Sequence, residues 1–159
     1  MQRRTLAAAV IAAAALTLAR CDSLPSPEVM KTETANYQLP KQPEAGKAMV
    51  YVVRPSGAGG LVRFNVFLDD QQPASEMGYT RSSQYIHFNV APGPHKIYSK
   101  AENWSELEVH ANAGDVIFVE QELGFGVIMA RNTLLKLDDD SGKYHVKKLT
   151  LGTVIKTDK

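Results

Sequence analysis

Four histidines, one cysteine and several carboxylate clusters are the residues of this chain that could do chemistry. His87, His95, His110 and His145 show no i, i+4 helical pair and no H-E-x-x-H pattern. With a single cysteine no multi-Cys zinc or iron–sulfur site can form, so no metal site is expected. His87 and His110 could still meet from neighbouring strands. His95 directly follows the Pro92-Gly93-Pro94 turn and is expected to pin it through a turn carbonyl. Ser56-Gly57-Ala58-Gly59-Gly60 is glycine-rich like a phosphate loop, but it leads into a strand and carries no Lys-Ser/Thr, so it reads as a plain loop. Asp138-Asp139-Asp140-Ser141-Gly142 fails as a calcium loop, because Lys143 and Leu149 stand where Gly and Glu are required. Glu106 and Glu108 share a strand face and read as a solvated edge. There is no G-x-S-x-G elbow. The expectation is therefore no catalytic residue and no cofactor, with an envelope hydrolase of spatially assembled site as the alternative.

Cys21 belongs to a different chemistry. Arg3 and Arg4 precede Leu6 to Ala19, an apolar run broken only by Thr17, which is the form of a secretory signal over residues 1–20. Fourteen residues at 1.5 Å rise span about 21 Å, short of the roughly 30 Å hydrocarbon core, so a membrane span is the weaker reading. Leu18-Ala19-Arg20-Cys21 resembles the lipobox of bacterial lipoproteins, in which the cysteine thiol is acylated. Arg20 departs from that pattern, where a small residue stands. The resemblance implies lipidation at Cys21, a bacterial membrane as partner and a periplasm-facing location in the cell envelope. The competing reading is a free cysteine in a signal cut elsewhere.

The 159 residues carry 18 basic and 17 acidic side chains, a formal charge of +1. Arg3, Arg4 and Arg20 lie in the leader, leaving 15 basic against 17 acidic from Cys21 onward. Nothing in that balance points to nucleic acid. Residues 21–47 hold Pro25, Pro27, Pro40 and Pro43 in a polar stretch without sustained period, and read as a tether or, alternatively, as an extended arm on the domain.

From residue 48 to 159 the pattern is strand, turn, strand. Ala48–Arg54 is rich in β-branched residues. In 62–69, Val62, Phe64, Val66 and Leu68 share one face. In 85–90, Ile86, Phe88 and Val90 point inward and His87 and Asn89 outward. Further strands are expected near 76–80, 95–101 and 105–110. Val116–Glu120 and Phe125–Ala130 read as central strands joined by a turn at Leu123-Gly124. A helix is expected near 139–149, weakened by Gly142, with an edge strand at 151–155. The fold class is mainly β, an antiparallel β-sandwich of seven or eight strands with a short C-terminal helix. Phe67, Tyr85, Tyr98 and Trp104 fall on faces assigned to solvent or at strand ends. They form the candidate binding surface for a protein or glycan of the envelope, unless a second sheet or the C-terminal helix covers them.

Val50-Tyr51-Val52-Val53-Arg54-Pro55, the glycine loop, Val66-Phe67-Leu68-Asp69-Asp70, Met77-Gly78-Tyr79, Tyr85, Val90-Ala91-Pro92-Gly93-Pro94-His95 and Ala113-Gly114-Asp115 follow in order. This series resembles the domain of unknown function numbered 2846, a family of small bacterial exported proteins and lipoproteins, from Ala48 to near Leu149. Asp70 stands where that family has Gly, which takes φ > 0 more readily. The resemblance implies a compact β-sandwich and carries over no catalytic residue.

Overall fold

The computed structural model describes residues 24–128 and 130–158. The segment Leu6–Ala19 and Cys21 lie outside them. Among the described residues no helix is long and apolar enough to cross a membrane.

Two five-stranded sheets face each other. Eight strands carry the fold: β1 (Ala48–Arg54), β2 (Phe64–Leu68), β3 (Glu76–Thr80), β4 (Gln84–Val90), β5 (Gly93–Lys100), β6 (Trp104–Ala111), β7 (Val116–Phe125) and β8 (Ala130–Leu137). Two short pieces follow the C-terminal helix α2 (Asp139–Lys148): β9 (Thr150–Leu151) and β10 (Thr153–Val154). Sheet 1 has the order β8-β7-β1-β4-β9 and sheet 2 the order β10-β3-β2-β5-β6. Most pairings are antiparallel, as in a sandwich of hairpins, but β1 pairs parallel with β7 and β4 pairs parallel with β9.

Alternation along each strand builds the core between the sheets. Val50, Val52, Ile86, Phe88 and Val119 of sheet 1 meet Val66, Leu68, Met77, Ile97 and Val109 of sheet 2, all buried. Toward one end this interior turns polar. Thr80 donates to Gln121 at 2.5 Å and Gln121 donates to Ser99 at 2.7 Å, a buried bridge from sheet 2 to sheet 1 and back. Beside it Arg54 is fully buried over the Phe64 ring, 3.8 Å from its centroid. Its guanidinium donates to the carbonyls of Ala58, Gly59 and Val62, and burial lowers its pKa. The glycine-rich loop is thus folded around a cation, with Gly59 at φ +66° turning the chain. No helix follows it, so it carries no phosphate-loop geometry.

Three expectations are corrected. Leu123-Gly124 is no turn: β7 runs through it to Phe125, and the reversal falls after Phe125 instead. Phe125–Ala130 is therefore not a strand, and the strand beyond is β8, where Asn132 and Leu134 point inward. The stretch read as tether contains a helix, α1 (Pro27–Thr34), with Met30 and Thr34 buried. It packs on α2, with Lys148 2.9 Å from the Glu33 carboxylate and Lys147 donating to the Glu33 carbonyl. Beyond it the chain lies across sheet 1 as an arm.

α2 begins where expected. The Asp138 carboxylate accepts from the backbone N–H and hydroxyl of Ser141, which holds its pKa below the usual range. Gly142 was expected to weaken this helix, yet it is what lets the helix reach the sheet. A Cβ there would lie 2.1 Å from the Phe118 ring.

Candidate functional site

The four aromatic candidates divide between the two sheets. Tyr85 lies on the outer face of sheet 1, but that face is not solvated. Tyr85 is 6% exposed and belongs to a second apolar cluster with Met49, Tyr51, Val53, Phe118 and Val146, onto which Tyr37, Leu39 and Leu149 pack. The C-terminal helix and the N-terminal arm cover it, so Tyr85 is removed from the binding surface. His87 and Asn89 do point away from the core, as read, yet both are buried beneath the same arm. The Asn89 side-chain carbonyl accepts the Glu44 N–H, and the Tyr51 hydroxyl donates to the Lys41 carbonyl and accepts its N–H. Burial pushes the Tyr51 pKa up to about 12 and holds His87 and His145 below the ordinary imidazole value.

Phe67, Tyr98 and Trp104 do converge, on the outer face of sheet 2. Phe67 pairs in register with Tyr98 across β2 and β5, and Trp104 pairs with Lys100 across β5 and β6. The Phe67 and Trp104 rings touch at a centroid distance of 5.2 Å and an interplanar angle of 57°. The Lys100 ammonium sits 5.0 Å from the Trp104 centroid. Phe67 is buried by these neighbours, Tyr98 is half-buried and Trp104 is 38% exposed. Around them the face is charged. Lys96 meets Glu108 at 3.1 Å, Glu106 is exposed opposite Tyr98, and Asn65 donates to Glu76 at 2.5 Å. The site is a broad aromatic patch bordered by alternating cations and carboxylates. Glu106 and Glu108 are exposed within it, as read.

The other chemical candidates do not converge on it. His95 pins its turn: Nε2 lies 2.8 Å from the Ala91 carbonyl and Nδ1 2.9 Å from Asp69. Asp69, not Asp70, takes the left-handed backbone at φ +68°. Its carboxylate also accepts the Lys96 N–H, which compensates for that conformation. His87 and His110 belong to outer faces of different sheets and form no common site. Among the described residues no group of three or more His, Cys, Asp or Glu side chains could hold a metal ion. A polar groove of about 650 Å³ lies between the arm and the β7–β8 edge, lined by Tyr37, Gln42, His110, Asp115, Lys136 and Lys143. Its Asp115 is engaged in its own turn, accepting both the backbone and side-chain N–H of Asn112.

Sequence reasoning missed the β7–β8 reversal as a surface feature. Phe125, Val127 and Ile128 are almost wholly exposed there, and Leu61 beyond the glycine loop is equally bare. The signal was present in Phe125-Gly126-Val127-Ile128, an apolar run that reads as a buried strand unless its position at a hairpin tip is known.

Comparison with known proteins adds one relative. Over 150 residues, 94% of this chain, the sequence is 26% identical to an uncharacterized protein of Haemophilus influenzae, 86% of which is covered. No family model matches the chain.

Proposed function

We propose that this protein is a non-enzymatic module of the bacterial cell envelope, held at a membrane by acylation of Cys21, whose open sheet 2 face docks a protein partner. The observation that carries the docking part is the contrast in cover. The aromatic outer face of sheet 1 lies under α2 and the arm, whereas sheet 2 leaves Trp104 exposed among paired charges. A large aromatic side chain in a ring of polar groups is the composition of an interface centre. A protein fits better than a glycan because the Trp104 ring is already engaged by Phe67 and Lys100 and offers no free stacking platform for a sugar. The leader Arg3-Arg4, the apolar run and the Cys21 context support the anchor.

Photocrosslinking from position 98 in growing cells tests the docking reading. A discrete protein adduct, lost with Trp104→Ala, is expected. A smear that collapses on muramidase digestion would replace the protein by a glycan, and an absence of adducts with unchanged pull-down of envelope proteins by Trp104→Ala would remove the site. Labelled palmitate entering the wild type but not Cys21→Ala is the expected result for the anchor.

A further inference from the structure

One end of the sandwich gathers features that the core does not explain and that meet the docking face only at Lys100. The parallel register sets Val53 opposite Glu120, so β7 continues past the end of β1, and Phe125 projects about 13 Å beyond Arg54 at roughly 3.3 Å per residue. The turn that follows bares Phe125, Val127 and Ile128. These side chains are exposed on a fixed frame. The Glu102 carboxylate accepts the N–H groups of Val127 and Ile128 at 3.1 and 2.9 Å, and Arg131 stands 4.0 Å from it. The same surface continues through Ala101 and Lys100 to Arg63 and Leu61, which share a hollow of about 290 Å³, and Arg81 donates to the Leu61 carbonyl.

Charge separates this end from the other. Around the apolar tip stand Arg63, Arg81, Lys100 and Arg131 against Glu102 and Glu122. The opposite end carries Asp69, Asp70, Asp115, Asp158 and the Asp138-Asp139-Asp140 run, offset in part by Lys47 and Lys143. The chain also enters at the basic end. Leu24 and Pro25 border a hollow with Pro55, Ser83 and Lys148, beside the loops that follow β1 and β3. Cys21 precedes Leu24 by three residues, which span at most about 11 Å.

We propose that this basic, apolar end is a membrane-contacting surface, with Phe125, Val127, Ile128 and Leu61 entering the boundary of an anionic bilayer and the surrounding arginines and lysine facing its headgroups. Apolar side chains buried a few ångströms into the headgroup boundary, flanked by cations, bind such a surface by area and by charge together. The place where the chain enters agrees with this occupant, because an acyl group on Cys21 would reach the bilayer from the same end. That agreement rests on the anchor proposed above, whereas the tip surface itself does not.

The test uses the full chain in vesicles of phosphatidylglycerol and phosphatidylethanolamine containing brominated acyl chains. Ile128→Trp in a Trp104→Phe background reports on the tip, and Asn112→Trp in the same background reports on the far end. Bromolipid is expected to quench about half or more of the emission from position 128 and leave position 112 unaffected. Arg63→Gln with Lys100→Gln is expected to reduce the quenching, as is replacing phosphatidylglycerol by phosphatidylcholine. Val127→Asp with Phe125→Asp tests the apolar part, with matched melting curves as the check on folding. An unquenched tip in a chain that does incorporate palmitate overturns the membrane surface and leaves the anchor standing. A quenched tip in a chain without acylation does the reverse. An unquenched tip on a chain of doubled mass identifies a second copy as the occupant and overturns the proposal.

Discussion

The outer faces of the two sheets were built by the same two-residue alternation and ended in opposite environments. On sheet 1, Met49, Tyr51, Val53, Tyr85 and Phe118 are sealed under α2, Tyr37 and Leu39. On sheet 2, Glu106 and Glu108 remain in solvent beside the exposed Trp104, with Lys96 and Glu76 half-buried. Alternation assigns residues to a face, but only the composition of the outward set says whether another layer must come down on it. β1 shows this most plainly, since all seven of its residues are buried. A strand apolar on both sides demands a third layer, and α2 and the arm supply it.

Substitutions can break this contrast to different degrees. The largest effect is expected from Tyr51→Ala. This residue is fully buried, stacks on Phe118 at 5.7 Å and bonds the arm at Lys41. By the scale of large aromatic truncations, the loss is about 3–5 kcal/mol in denaturant unfolding, with the arm becoming accessible to protease. Gly142→Ala comes next. Its methyl would meet Phe118, and either the helix lifts or the ring moves, at a cost of about 1–3 kcal/mol. Intrinsic helix propensity alone would favour alanine by about 1 kcal/mol, so the sign of the measured change decides between packing and propensity.

Acid should act on the covered face first. Burial lowers the folded-state pKa of His145 and His87 from 6.5, so the unfolded chain takes up these protons before the folded one does. Their contribution is intact above about pH 6.5 and declines as pH falls below it. Melting temperatures measured from pH 7.5 down to 5 should fall, and His145→Gln should flatten that slope. Trp104→Ala is expected to have the smallest effect on stability, about 1 kcal/mol from the lost Phe67 contact, while removing the crosslinked partner. A large drop in melting temperature would instead make Trp104 a structural residue.

Much of the sandwich was legible because the inward sets of β2 and β4, and of β1 as far as Val52, are apolar series at period 2. β8 was not, because its inward positions include Asn132, whose backbone N–H is satisfied by the Asn103 side chain across the sandwich. That polar pair breaks the pattern by which a strand is recognised. α1 was hidden for another reason. Pro27–Thr34 has little apolar periodicity, and its helix is held by Met30 and by Glu33 meeting α2, contacts that exist only after the fold is made. Of the candidate surface, Phe67, Tyr98 and Trp104 could be grouped from strand grammar. Tyr85 could not be separated from them, since nothing local in 84–90 announces that a helix from residues 139–148 will cover it.

The clamp between Glu33 and Lys148 shortens the leash available to the domain. With the chain fixed from Pro27 onward, six steps from position 21 allow at most about 22 Å at full extension. A lipid on Cys21 would therefore keep the sandwich close to its bilayer, basic end down and strands upright. The Trp104 face would then look sideways along the leaflet, within reach of neighbours embedded in the same membrane rather than of structures standing far above it.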